Sequence, residues 1–205
     1  MKKLLSALAV LTALSACSPE TAQQAPASAT QAEAVKWNGT DVRKEDIGGD
    51  FVLTGGDGKE FALSSLKGKV VVLNFGYTHC PDICPMTLQI YNDVLAELGE
   101  QAKDVAVVFV SVDPERDHPE LVGRYAKQFN PDFIGLTAAN GQSIAEVKQQ
   151  YRIVSAKAKQ QSDDIYLVDH STGAYLLDKN GEAALFEPYA ATAVQIAEDI
   201  KNLLK

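Results

Sequence analysis

The chain has 205 residues, 46% of them hydrophobic, with three cysteines and a formal net charge of −8 at pH 7. That length bounds it to one domain of ordinary size, and three thiols are too few for a disulfide-scaffolded fold, so the core has to be hydrophobic. The acidic balance argues against nucleic acid and against an electrostatic grip on anionic lipid.

The first stretch, MKKLLSALAVLTALSAC (Met1–Cys17), reads as a bacterial export signal. Lys2 and Lys3 supply a basic start, and the apolar run from Leu4 to Leu14 is far shorter than the ~20 residues needed to cross a bilayer. Leu14-Ser15-Ala16-Cys17 resembles the lipobox of bacterial lipoproteins, which implies cleavage before Cys17 and a lipid on its sulfur. A soluble secreted protein cut elsewhere would instead leave an odd free thiol outside the cell. Ser18 to Val35 lacks aromatic residues and periodicity and is rich in Ala, Gln, Ser, Thr and Pro, the composition of a flexible tether. The expected organisation is therefore a signal over 1–16, a lipidated N-terminus and tether over 17–35, and one domain over 36–205.

Within that domain, FVLTGGDGKEFAL predicts an early hairpin. KVVVLNF (Lys69–Phe75) and VAVVFVSV (Val105–Val112) are unbroken runs dominated by β-branched and aromatic residues, as in strands buried on both faces. Between them, Pro85 suits the first turn of a helix, Leu88, Tyr91, Leu95 and Leu98 recur at helical spacing, and Gly99 suits its end. A second helix is predicted over Pro119–Phe129, a strand over Phe133–Leu136 and a helix over Ser143–Tyr151. AYLLDKNGEAALF reads as two strands about an Asn-Gly turn, and Ala190–Leu204 as a closing amphipathic helix. The alternation implies an α/β sandwich, and this order of elements, with a cysteine pair at a strand's carboxyl end, is that of a thioredoxin-like fold with a central mixed sheet and added hairpins.

Cys80 and Cys84 stand in a C-x-x-x-C pair within GYTHCPDICPMTL. Such a dithiol can exchange disulfides, bind a metal or staple a loop. If the pair spans one helical turn, or a turn entering the helix, positions i and i+4 face the same way and both sulfurs converge. Pro81 and Pro85 restrict the loop, and the helix N-terminus favours thiolate over thiol. A purely structural disulfide would close only a five-residue loop, which stabilises little, and the carboxyl end of a strand is where open α/β sheets put their sites.

Three motifs in order, GYTHCPDICP, SVDPERD and VDHSTGAYLLD, resemble the Sco/SenC family of membrane-tethered copper-binding proteins, over a span from about Trp37 to the C-terminus. The resemblance implies that Cys80, Cys84 and His170 bind copper on its way to a cytochrome c oxidase subunit or another cuproprotein. Without the motif, His170 would read as a hydrogen-bonded histidine in a hairpin connection. In a thioredoxin-like sheet the strand after it runs antiparallel, which puts it on the rim of the cysteine loop. Two thiolates and an imidazole are a soft donor set that selects copper, as Cu(I) or Cu(II), or zinc over calcium or magnesium, and structural zinc usually takes four protein ligands. Ser171 to Ala174 contain no proline where thioredoxin-type oxidoreductases carry a cis-proline, which favours metal delivery over general disulfide exchange.

Other residues carry more than one reading. Asp113 and Asp117 belong to the family's D-P-x-x-D motif and border the same rim, yet Asp117 with Glu120 also reads as a helix capping pair. His79, next to a converging cysteine, points elsewhere; His118 is read as solvent-facing, and Tyr77 and Trp37 as packing or partner contacts. The competing function is a thiol-disulfide oxidoreductase acting on cysteines of a copper protein, which would use Cys80 and Cys84 alone. A thiol peroxidase is disfavoured because Tyr77 stands where that pattern wants threonine. The whole reading is of a monomer held by a lipid on Cys17 at the periplasmic side of a bacterial membrane.

Overall fold

The computed structural model describes residues 35–139, 143–158, 160, 162 and 165–205; the expectations placed on the signal, on Cys17 and on nearly all of the tether lie outside the described residues. In chain order the elements are β1 (Thr40–Asp41), β2 (Val52–Gly55), β3 (Glu60–Ala62), β4 (Val70–Gly76), α1 (Ile83–Leu98), β5 (Val105–Ser111), α2 (Pro119–Phe129), β6 (Ile134–Thr137), α3 (Ile144–Gln150), β7 (Ser155–Ala158), β8 (Leu167–His170), β9 (Ala174–Leu177), β10 (Ala183–Glu187) and α4 (Ala193–Leu203).

Eight strands form one mixed sheet in the order β1-β10-β9-β4-β5-β6-β2-β3. β4, β5 and β6 run parallel, while β9 pairs antiparallel with β4 and β2 antiparallel with β6. The two apolar runs became the two central strands, and every residue of β4 and β5 is buried, as expected for strands covered on both faces. α1 and α4 lie against each other, and α2 against β2 and β6. This is the thioredoxin-like α/β sandwich anticipated from the order of elements. The described core draws on residues from Val42 to Ile200, so Val35–Lys205 carries its own core.

Two pairings bring distant segments to one rim of the sheet. The parallel pairing of β4 with β5 sends the chain leaving β4 straight into the cysteine loop and α1, and the antiparallel pairing of Asn74 with Ala174 brings the start of β9 to the same rim. A further element escaped the sequence. β7 and β8 form a separate two-stranded hairpin, in which Ser155 pairs with His170. His170 is therefore the last residue of a strand and not a loop residue in a connection. β1 also went unpredicted; it extends the sheet by pairing with β10. Its segment is clasped by α4, where the buried Asp199 carboxylate accepts the backbone N–H groups of Asn38 (2.9 Å) and Gly39 (2.8 Å).

Candidate metal centre

Three chain segments meet beyond the carboxyl end of β4. The first is the loop Tyr77–Asp82, a turn closed by the Cys80 N–H on the Tyr77 carbonyl at 3.3 Å, which then enters α1. Cys80, half-buried, comes just before the helix; Cys84, 2% exposed, is its second residue. The helix cap position, Asp82, makes no side-chain cap; instead the Cys80 sulfur accepts the Cys84 backbone N–H at 3.4 Å, so a sulfur satisfies one of the orphan donors of the first turn. The helix N-terminus then favours negative charge on that sulfur. Cys80 is held well below an ordinary thiol's pKa, first by the Cys84 S–H donated to it, then by the N–H groups of Cys84 and Asp82. That bond and burial push Cys84 up. Both cysteines are free thiols.

The second segment is the end of β8. His170 Nε2 stands 3.7 Å from Cys84 Sγ, and Nδ1 lies 2.8 Å from the Ser171 carbonyl. A carbonyl only accepts, so Nδ1 carries the proton and Nε2 turns its lone pair to the sulfurs. The Tyr77 ring, 2% exposed, packs edge-on to the imidazole with centroids 5.8 Å apart. The donor atoms of Cys80, Cys84 and His170 all lie within 4.8 Å of one another, among the described residues the one such group of His, Cys and carboxylate donors. The fit to a metal ion can be tested on distance. Bonds of about 2.3 Å to sulfur and about 2.0 Å to nitrogen, the lengths known for zinc, meeting near 120°, separate sulfur from nitrogen by about 3.7 Å and the two sulfurs by about 4.0 Å, and the 3.7 Å between His170 Nε2 and Cys84 Sγ fits.

The third segment, the DPERD motif after β5, holds the other two together. The Asp117 carboxylate, 0% exposed, accepts the Thr78 N–H (2.8 Å), the Thr78 hydroxyl (2.5 Å) and the Ser111 hydroxyl (2.6 Å), pinning the cysteine loop to the end of β5. The capping expectation for Asp117 with Glu120 is thus overturned. α2 starts at Pro119 and is capped by His118, whose ring nitrogen accepts the Leu121 N–H at 3.4 Å while the ring stays exposed. Asp113, also buried, accepts the Arg116 Nε–H (2.7 Å) and the Tyr166 hydroxyl (2.8 Å). Arg116 in turn stacks 3.5 Å over the Tyr166 ring and donates to the Tyr166 carbonyl at 2.9 Å. Tyr166 immediately precedes β8, so this clamp docks the strand that ends in His170.

Neither aspartate is among the converging donors. His79 is exposed, with Nδ1 3.1 Å from the Thr78 hydroxyl and 3.5 Å from Asp117, pointing away from the sulfurs as expected. Tyr77 packs, and Trp37 lies partly buried against the core under Arg43. Sequence reading missed Arg116, Tyr166, Asn74 and two glycines. A Cβ on Gly76 would stand 2.7 Å from Cys84 Sγ and 2.6 Å from Phe109, so only glycine leaves room for that sulfur. Gly173, at φ +109° in the turn after His170, would press a Cβ to 2.5 Å from the Glu187 carbonyl. Its own carbonyl accepts the buried Asn74 side-chain N–H at 2.9 Å, tying the His170 turn to β4.

Comparison with known proteins gives the same picture from outside. The SCO1/SenC family model matches residues 39–205. An SCO2-like protein of Rickettsia prowazekii is 38% identical over 160 residues, 78% of this chain and 78% of that relative. The solved structure of Bradyrhizobium japonicum ScoI with copper bound is 39% identical, covers 77% of this chain and 99% of that one, and superposes with a TM-score of 0.70. BsSco, a Sco-family cytochrome c oxidase assembly protein described for its disulfide switch, is 26% identical with a TM-score of 0.60, covering 83% of this chain and 97% of that one.

Proposed function

The chain belongs to the SCO1/SenC family, and from that premise we propose that it binds one copper ion through Cys80, Cys84 and His170 and delivers it to a copper site of cytochrome c oxidase. The observation that carries this reading is the convergence of two sulfurs and one imidazole nitrogen within 4.8 Å at an open rim. Sulfur donors with an imidazole suit Cu(I) and accept Cu(II), and three protein ligands leave the ion open to a fourth from outside. A recipient's thiol or imidazole enters there, and the donors here leave one at a time. The Ser171 carbonyl keeps Nε2 aimed at the ion throughout, as backbone carbonyls do for ligating histidines elsewhere.

Membrane attachment completes the proposal: a lipid on Cys17, a tether over 17–35 and a monomeric domain over 36–205 on the periplasmic side. A Cys17→Ala chain should then appear in the soluble exported fraction; retention on the membrane after a high-salt wash would refute the anchor. The metal site is tested by His170→Ala. Reduced, anaerobic parent should bind one copper and give a thiolate-to-Cu(II) charge-transfer band on Cu(II) addition. The variant should lose the band or bind more than ten- to a hundred-fold more weakly, since even an outer partner of a ligand is worth about that much.

A second reading uses the same sulfurs without the histidine. Cys80 is a half-exposed thiol of lowered pKa beside a buried partner thiol, the arrangement of a redox pair. Its thiolate would attack a partner disulfide, and Cys84 would release the mixed disulfide, passing two electrons to the partner. Unchanged copper binding by His170→Ala, with loss of partner reduction in Cys80→Ser and Cys84→Ser, would make this the better account.

A further inference from the structure

The surface around the metal cleft has two features that together describe what can dock there. Among the described residues the cleft, about 400 Å³, is lined by Cys80, His170, Leu167, Ile83 and two carboxylates, Asp82 and Asp169, and by no lysine or arginine. Both aspartates are exposed, and among the described residues neither carboxylate has a hydrogen-bond or ion-pair partner. The nearby arginine, Arg116, is turned away, engaged with Asp113 and Tyr166. An apolar ridge then leaves the cleft along α1. Ile83 is 37% exposed, Met86 one turn on is 54% exposed, and Tyr189, 37% exposed, reaches Met86 with its hydroxyl 4.0 Å from the sulfur. Large apolar side chains at a charged rim mark an interaction surface, and unpaired like charges beside it select the sign of the partner.

We propose, on the footing of the copper-delivery reading, that this face receives a copper-accepting protein loop whose metal-binding thiols are flanked by lysine or arginine, with the basic groups on Asp82 and Asp169 and an apolar side chain over Ile83 and Met86. Geometry imposes the first constraint. An incoming ligand has to reach bonding distance of an ion held by Cys80, Cys84 and His170, so whatever carries it covers the cleft rim. With Cu(I) no electron changes hands: each recipient thiol gives up its proton as its sulfur binds, Cys84 takes one proton back as it releases the ion, Cys80 stays a thiolate, and the other proton goes to solvent. The two aspartates raise the local concentration of basic recipients and repel acidic ones, an effect on association rate that salt screens.

The test uses the purified full chain loaded with Cu(I), mixed in a stopped-flow instrument with two synthetic dodecapeptides, each holding one Cys-x-x-x-Cys, one flanked by lysines and one by glutamates. At low salt the lysine peptide should take copper about tenfold faster, and the difference should shrink to within about twofold in about 0.5 M salt. Flanking lysines also make the peptide's own thiols more acidic, so the deciding arm is the double variant Asp82→Asn, Asp169→Asn. It should keep the parent's copper band and lose most of the peptide preference, while Met86→Ser should slow transfer to both peptides alike. A preference that survives in the double variant, or equal rates for both peptides in the parent, would overturn the inference and leave the copper site standing. A parent that takes up no copper would sink the delivery reading itself, and this inference with it.

Discussion

Glu187, the last residue of β10, is 1% exposed and lies beside Asp199, itself 0% exposed. A Cβ at Gly39 would touch its Oε1 at 2.5 Å, so the carboxyl is wedged under the segment that Asp199 clasps. Burial first, then the hydrogen bond to Asp199 and its charge, push Glu187 up to about 8. The Tyr91 hydroxyl of α1 is pushed up first by its own burial and then by the charge of Glu187. At neutral pH Glu187 therefore keeps its proton and donates it to Asp199. Because the folded value lies above the unfolded one, this contribution to stability is whole at acid pH, falls as pH rises from about 4.5 to about 8, and is flat beyond. At about 1.4 kcal/mol per pH unit, the loss across the window is on the order of 5 kcal/mol. Glu187→Gln keeps a donor for Asp199 and removes the titration. The stability of the variant relative to the parent should accordingly grow by about 3 kcal/mol between about pH 5.5 and about pH 8. Urea unfolding of the 35–205 unit, followed by the fluorescence of Trp37, the single tryptophan, reads this directly. Taking the difference between the two proteins removes the titrating groups not coupled to Glu187, so a difference that stays constant with pH would refute the buried proton.

The clamp around the cysteine loop makes three further expectations. Asp117→Ala strips a buried acceptor from Thr78 and Ser111 and should cost about 3–5 kcal/mol in chemical unfolding, with copper affinity, measured by competition with a chelator, falling although all three donors remain. Tyr166→Phe removes the hydroxyl on Asp113 and should cost about 1–2 kcal/mol; hydrogen exchange should speed up in β7 and β8 and stay unchanged in β4 and β5. Gly76→Ala drives a methyl into Cys84 and Phe109, so a loss of about 1–3 kcal/mol by overpacking should come with weakened copper binding, whereas Gly68→Ala, with nothing within 4 Å of its Cβ, should leave copper binding alone.

What was legible in the sequence was what local chemistry decides. β4 and β5 announce themselves because a strand buried on both faces needs an unbroken apolar run, and α2 because Pro119 supplies an N1 residue. The cysteine pair was legible because its spacing fits a turn entering a helix. Asp117 was misread because D-x-x-E matches a capping box one residue too early: the donors that claim its carboxylate, Thr78 and Ser111, lie 39 and 6 residues away, and no local pattern records them. β7 escaped because its four residues, SAKA, are half-exposed to exposed and show no alternation; what holds it is its pairing with β8, docked by Arg116 and Tyr166. The missed and misread residues share a cause. Each is set by contacts between segments distant in sequence, and those same contacts bring His170 to two cysteines, the nearer of them 86 residues before it. A motif names the three donors, but their convergence is produced by Asp117 on the loop, Arg116 on the hairpin, Asn74 on the turn and the bare backbone of Gly76. The donor triangle is therefore as rigid as that set of buried polar contacts, and a substitution there should disturb copper binding with every ligand still in place.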